Sequence, residues 1–236
     1  MDVIGRVNTT YRLFVATTAS VVSAILIDDM QKVFKSRTIA LLALLVMVSL
    51  IVIVLNETLE QIVEKSVTVR KAIAGDEFIE GYWYDLSLDN VNKKVVHGAI
   101  LRIRLRDGEF KVDGVSFNPA GDRIATFTSS SAVYSNKLFY FEYRGINDEY
   151  QELVETGLTQ LQFDSPPQSY SGFYFDYTAS IHSRIHGHKV DADTLKRYKS
   201  FTPPDAKRDF MLSVMAAKQA SFAAQQKPAL PENAEA

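Results

Sequence analysis

The sequence predicts a membrane-anchored protein in which two N-terminal transmembrane helices precede a small antiparallel β-barrel of seven or eight strands and a C-terminal helix. Three observations support this architecture. Residues 38–55 carry no charge, turn residues separate short runs rich in Tyr, Phe, Val, Ile and Thr after residue 78, and charged helical segments follow residue 190. We therefore divide the 236 residues into three parts: two transmembrane helices with a helical neck (1–74), a β-barrel ligand-binding domain (76–190) and a helical, partly disordered tail (191–236).

The strongest membrane signal is the segment Thr38–Leu55, TIALLALLVMVSLIVIVL, which contains no charge, no Gly and no Pro. Eighteen helical residues rise about 27 Å, close to the hydrocarbon thickness of a bilayer. The preceding apolar run, residues 11–27, reaches the lower length limit for a span, and its Ser and Thr residues suit close helix packing. A signal peptide and an interfacial helix are competing interpretations of this run, and we favour a second span.

Lys and Arg residues beside the predicted spans indicate the topology. Five of them flank the outer ends of the two spans: Arg6, Arg12, Lys65, Arg70 and Lys71. Three lie in the connecting loop: Lys32, Lys35 and Arg37. Because positive residues favour the cytoplasmic side, we expect both termini and the β-domain in the cytoplasm. The neck, residues 56–74, spaces Leu59, Ile62, Ser66, Val69 and Ile73 like a heptad seam, which predicts either self-association or a plain helical stalk.

The β-domain is predicted from alternation and turn signals. Turn-forming pairs such as Asp107-Gly108 and Ser135-Asn136 separate runs of β-branched and aromatic residues. Short connections make consecutive strands antiparallel neighbours, which favours a closed barrel, with an antiparallel sandwich as the alternative. We place the strands at about 78–88, 93–106, 109–117, 123–133, 137–144, 150–163 and 170–180, with an eighth at 181–190.

Composition and motifs exclude several kinds of function. The chain has no Cys, which excludes thiolate metal sites and cysteine nucleophiles, and its net charge of −2 argues against binding long DNA or RNA. The nucleophile-elbow, zinc-protease, phosphate-loop and dinucleotide-binding motifs are all missing from the sequence. We therefore expect a protein that is not an enzyme and that carries no cofactor and no metal.

A small anionic ligand needs only one or two well-placed arginines, helped by hydroxyl groups and aromatic faces. The alternative interpretations are that the arginines lie on a solvated strand face and that the tyrosines pack in the core. The β-domain offers seven candidate ligand-binding residues: Tyr82, Arg102, Arg104, Thr128, Ser130, Tyr140 and Tyr174.

The membrane segments, the neck and the Tyr-rich β-domain together resemble a known family over residues 10–190. These are the two-transmembrane, β-strand-rich effectors of bacterial cyclic-oligonucleotide antiphage signalling (CBASS). The resemblance is carried by the architecture and by five sequence stretches: the apolar Thr38–Leu55 segment, GYWY at 81–84, DGVSF–NPAGD within 113–122, LFYFEYRG at 138–145 and GFYFDY at 172–177.

The resemblance implies a function. The barrel would bind a cyclic dinucleotide made by a partner nucleotidyltransferase after phage infection. Binding would drive homo-oligomerisation, and the membrane segments would then disrupt the bacterial inner membrane and kill the infected cell. Two other functions are compatible with the residues: a membrane-anchored, lipocalin-like carrier of an apolar ligand, and a β-domain that docks another protein without binding a nucleotide.

Overall fold

The computed structural model describes residues 36–88, 94–147, 154–177 and 181–226, with scattered helical positions between 13 and 33. The chain divides into two compact units, Met1–Phe78 and Ile79–Ala236. The first predicted span, residues 11–27, lies largely outside the described residues, so the presence of two membrane helices stays a prediction.

The first unit contains a long apolar helix, α1 (Arg37–Lys65). Its segment Thr38–Leu55 has a mean hydropathy of 3.2, and it is the one stretch of the described residues that is long and apolar enough to cross a membrane. The hydroxyl of Ser49 donates a hydrogen bond to the Leu45 carbonyl at 2.8 Å, so this polar side chain is satisfied within the helix. The prediction of an apolar helix over residues 38–55 is confirmed.

The neck is interrupted at Ser66, where the backbone is extended between α1 and α2 (Val67–Ala74). Ser66 caps α2, and the Arg70 guanidinium donates to the carbonyl of Val63 at 2.9 Å, which satisfies an acceptor in the last turn of α1. The expectation of one continuous helix over 56–74 is therefore wrong at Ser66. The predicted heptad seam crosses the break between α1 and α2. Gly75, with a φ of +53°, follows Ala74 and ends α2.

The second unit is a closed, eight-stranded antiparallel barrel. Each strand pairs with the next along the chain, and β8 pairs with β1 to close the sheet. The predicted barrel is confirmed and the sandwich alternative is wrong. The strands are β1 (Gly81–Leu88), β2 (Val95–Arg106), β3 (Glu109–Phe117), β4 (Arg123–Ser135), β5 (Leu138–Asn147), β6 (Val154–Phe163), β7 (Ser169–Asp176) and β8 (Ile181–Lys189).

Two tight turns set the register of the hairpins. Asp107-Gly108 joins β2 to β3 and Asn136-Lys137 joins β4 to β5, and all four residues have positive φ. This conformation matches the twist of the flanking strands in a two-residue hairpin loop. Each turn thereby fixes which alternate side chains of its two strands share a face.

The barrel interior is filled by aromatic and aliphatic side chains from all eight strands. Trp83 is fully buried, and its indole N–H donates to the Ile79 carbonyl at 2.8 Å. Phe163 contacts Trp83 edge-on with ring centroids 4.8 Å apart. Other buried members of this inner core are Leu101, Ile103, Val112, Tyr134, Phe139, Phe141, Leu161, Tyr170 and Ile185.

A second core lies on the outer wall of the barrel, beneath the C-terminal segment. This segment consists of α3 (Ala192–Arg197), a 3-10 turn (Lys199–Phe201) and α4 (Ala206–Gln226). Met211 of α4 is fully buried and packs with wall residues that include Ile100 and Phe117. The tail therefore covers part of the outer faces of the first three strands, and the predicted C-terminal helix is confirmed.

Candidate functional site

Two clefts open on the outer wall of the barrel where the C-terminal segment meets it. The large cleft has a volume of about 450 Å³ and lies among the loop between β3 and β4, residues 201–205 and the first turn of α4. The small cleft has a volume of about 180 Å³ and is lined by β1, β2, β3 and α4. Lys207 lines both clefts, so the two are adjacent on the surface of the domain.

In the small cleft, Tyr82 and Arg102 form a stacked pair on neighbouring strands. The guanidinium carbon of Arg102 lies 5.2 Å from the centroid of the Tyr82 ring, a cation–π geometry. Tyr82 in turn packs edge-on against Phe201 of the tail, with ring centroids 5.2 Å apart. An aromatic face and an exposed cation are therefore held side by side at the mouth of this cleft.

Arg104 extends the cationic row along β2. Its guanidinium forms an ion pair with Asp113, and the hydroxyl of Thr128 donates to the same carboxylate at 3.2 Å. The Nε of Arg104 is buried and has no hydrogen-bond partner. An unsatisfied buried donor of this kind carries an energetic cost.

Lys207 brings a further cation to the same place from the first turn of α4. Partial burial lowers the pKa of its ammonium group, and the nearby charges of Arg102 and Arg123 lower it further, while Asp113 opposes the shift. Five cationic side chains and three carboxylates line the two clefts together: Arg102, Arg104, Arg123, Lys207 and Arg208 against Asp113, Asp122 and Asp205. The clefts therefore carry an excess of two positive charges.

The structure brings four of the seven predicted ligand-binding residues together and separates the other three. Tyr82, Arg102 and Arg104 line the small cleft, and Thr128 reaches it through Asp113. Ser130 lies at a β-bulge of β4 and donates to the Glu142 carbonyl at 3.3 Å. The remaining two lie on opposite sides of the wall, since the register groups Tyr174 with the inner core and leaves Tyr140 on the outer face of β5.

One end of the barrel interior is polar. The hydroxyl of Tyr170 donates to the Asp85 carboxyl at 2.9 Å, and burial raises the pKa of Asp85 to about 7. Desolvation lowers the pKa of His97 to about 4, and the His97 ring lies edge-on to Tyr174 at 5.4 Å. The hydroxyl of Ser87 is buried nearby and has no hydrogen-bond partner.

Sequence patterns alone did not indicate the cations that α4 and the start of β4 contribute to the clefts. Lys207 and Arg208 stand in the first turn of a 21-residue helix, where positive charges oppose the helix dipole. That unfavourable placement, shortly after Pro203-Pro204 and separated from it by Asp205 and Ala206, is a signal visible in the sequence. The positions of Lys207 and Arg208 therefore do not serve the stability of the helix.

Metal binding needs a cluster of side-chain ligands within the residues that the structure describes. No group of three His, Asp or Glu side chains in those ranges could hold a metal ion. His186 and His188, which share the outer face of β8, are thus without a third ligand in the described part of the chain.

Comparison with known proteins gives no family for this chain. No family model matches it, and no curated protein matches it. Among solved structures, it is similar to a biogenic amine-binding protein, determined as its selenomethionine derivative, at 14% sequence identity. The match covers 66% of this chain and 92% of that chain with a TM-score of 0.38. A likeness at this level carries no argument about the ligand of this protein.

Proposed function

We propose that the protein is a membrane-anchored receptor and effector of bacterial antiphage defence whose β-barrel domain binds a cyclic dinucleotide. The observation that carries the proposal is the cationic pair of clefts on the barrel wall, in which Arg102, Arg104 and Lys207 stand beside the ring of Tyr82. In this proposal, ligand binding drives homo-oligomerisation, and the N-terminal helices then disrupt the bacterial inner membrane.

Charge and ring chemistry both support a nucleotide ligand. A cyclic dinucleotide carries two phosphodiester charges, which equal the excess of two positive charges lining the clefts. Guanidinium groups bind phosphate oxygens through charge-assisted hydrogen bonds, and an aromatic ring beside them offers a stacking surface for a base. A partner nucleotidyltransferase would supply such a ligand.

The membrane part of the proposal rests on the apolar helix α1. Its segment Thr38–Leu55 has the length and hydropathy of a span. A second span over residues 11–27 would place both termini and the barrel on the cytoplasmic side, where a nucleotide messenger is made.

A carrier of a small ligand inside the barrel is the second candidate function. One observation favours it: the unpartnered hydroxyl of Ser87 is 2% exposed and lies in the polar end of the lumen, in register with His97. A ligand that hydrogen-bonds this group would have to displace side chains at the polar end of the filled interior, and it would not touch the wall clefts.

The test is calorimetric titration of the full chain in lipid nanodiscs with cyclic di-AMP, cyclic di-GMP and cyclic GMP–AMP. We expect one of the three to bind, and we expect Arg102→Ala to weaken that binding by about tenfold or more, the loss expected for a charged hydrogen bond. Arg106→Ala is the matched control, because Arg106 is exposed on the same strand outside both clefts.

Binding that is unchanged in Arg102→Ala would move the site away from the wall, and the lumen would then be the next place to examine. If the folded wild-type chain binds none of the three nucleotides, the proposed function is wrong for this set of ligands.

A further inference from the structure

The C-terminal segment is part of the cationic clefts and does more than cover the barrel. Lys207 lines both clefts, and Arg208 lines the large cleft together with Arg123 from the start of β4. These three residues come from two elements that are far apart in sequence, and the fold of the tail against the wall brings them together.

This arrangement of like charges is unfavourable on its own. Burial is the main factor that disfavours the charged form of Lys207, and Arg102 and Arg123 add to it, while Asp113 acts in the opposite direction. The unpartnered Nε of Arg104 leaves a further charged donor unsatisfied beside them. An anion placed between these cations would offset the repulsion among them.

The first turn of α4 points to the same kind of ligand. The large cleft is bordered by residues 203–205 and by the first residues of this helix. The N–H groups of Ala206 and Asp209 already donate to the carbonyls of Pro203 and Asp205, so the helix contributes through the positive end of its dipole, which favours anions. Lys207 and Arg208 therefore add side-chain charge to a helix end that already favours a negative ligand.

The volumes of the two clefts indicate that a small-molecule ligand needs more space than the small cleft offers. Sites for small molecules occupy roughly 300–1,000 Å³. The small cleft, at about 180 Å³, falls below this range, whereas the large cleft, at about 450 Å³, falls within it. A ligand that uses Tyr82 and Arg102 must therefore extend past Lys207 into the large cleft.

We propose that the two clefts form one bipartite site that binds two phosphate groups of a single ligand, with Lys207 between them. Arg102 and Arg104 bind one phosphate on the barrel wall. Arg123, Arg208 and the first turn of α4 bind the other. The inference rests on the proposed function and deepens it by giving the tail a direct role in binding. Because the ligand contacts both α4 and the barrel wall, it holds the two together.

The experiment compares three single variants of the full chain in nanodiscs. Arg102→Ala removes a cation of the small cleft, Arg208→Ala removes one of the large cleft, and Lys207→Met removes the shared one. Each is titrated by calorimetry with the cyclic dinucleotides and, separately, with inorganic pyrophosphate. Lys196→Met is the control, since Lys196 is an exposed cation on α3 that lines neither cleft. Emission from Trp83 verifies that each variant is folded.

We expect Arg102→Ala and Arg208→Ala each to weaken binding of the same cyclic dinucleotide by about tenfold or more. Lys207→Met should weaken this binding at least as much. Lys196→Met should leave it unchanged. If a cyclic dinucleotide binds but Lys207→Met and Arg208→Ala bind it like the wild type, the bipartite site is wrong while the proposed function stands.

Titration with pyrophosphate tests the anion site of the tail separately from the proposed function. Pyrophosphate binding that depends on Lys207, without binding of any cyclic dinucleotide, would support the anion site of the tail and overturn the proposed function. If neither probe binds to the folded chain, both proposals are overturned.

Discussion

The buried Asp85 and its neighbour His97 predict an unusual dependence of barrel stability on pH. Both side chains lie at the polar end of the interior, Asp85 in a hydrogen bond with Tyr170 and His97 against the ring of Tyr174. Burial acts on the two groups in opposite directions, because it raises the pKa of a carboxyl and lowers that of an imidazole. Removing either group should therefore uncover the contribution of the other.

The magnitudes follow from the two shifts. The pKa of Asp85 rises from 3.8 to about 7 on folding, so its contribution to stability is full below pH 3.8 and is lost as the pH rises through 7. This loss amounts to roughly 4 kcal/mol. The pKa of His97 falls from 6.5 to about 4, so its contribution is full above pH 6.5 and is lost as the pH falls through 4, by roughly 3 kcal/mol.

Between pH 4 and 6.5 the two slopes cancel, and the wild-type barrel should have a nearly constant free energy of unfolding. Asp85→Asn should become more stable as the pH rises through this range, by roughly 3 kcal/mol, because only the His97 contribution remains. His97→Asn should become less stable as the pH rises from 4 to 7, by roughly 4 kcal/mol, because only the Asp85 contribution remains.

The assay is urea unfolding of the full chain in detergent micelles at several pH values. Trp83 is the single tryptophan of the chain and is fully buried in the barrel, so its emission reports the unfolding of this domain. The reasoning is refuted if Asp85→Asn and the wild type show the same pH dependence, since Asp85 would then titrate alike in the folded and unfolded states.

Two further predictions concern the packing of the tail and the apolar helix. Met211→Ala should lower the free energy of barrel unfolding by roughly 2–5 kcal/mol, because Met211 is fully buried between α4 and the wall. The same fluorescence assay measures this change. A loss below about 1 kcal/mol would show that α4 packs loosely. Leu45→Arg should disfavour membrane insertion of α1 by roughly 3 kcal/mol, as measured by the inserted fraction of this segment in microsomes, with Leu45→Ile as the control. An unchanged inserted fraction would mean that this segment does not cross the bilayer.

Most of the barrel could be predicted from local signals. Alternation at period two and the turn pair Asp107-Gly108 predict the strands and the register of the β2–β3 hairpin, whereas the turn between β4 and β5 lies at Asn136-Lys137, one residue after the predicted Ser135-Asn136. The break at Ser66 could not be predicted in the same way, since Ser is tolerated inside a helix as well as at its start. There the outcome depends on Arg70 reaching back to the Val63 carbonyl, which is a tertiary contact.

The binding residues were harder to predict, because local alternation does not say which face of a strand meets the lumen. Arg102 and Arg104 lie on the outer wall, opposite the buried Leu101 and Ile103. The aromatic runs of β5 and β7 are apolar on both faces, so nothing in the sequence separates Tyr140 from Tyr174. In β4, a bulge between Ser129 and Ser131 changes the phase of alternation, so that Ser129 and Tyr134 are both buried although they lie an odd number of positions apart.

The position of Lys207 on α4 argues that the tail is kept for binding as well as for stability. Lys207, Phe210, Met211 and Met215 follow the spacing of one helix face, and the last three are buried against the wall. A lysine at this position must bring its ammonium group against the barrel beside Arg102, at a cost in desolvation and charge repulsion. An apolar residue would fit the face better, so Lys207→Met should raise the urea midpoint of the barrel while it removes anion binding. A lower midpoint would instead show that Lys207 stabilises the contact, and the case for a retained binding residue would then fail.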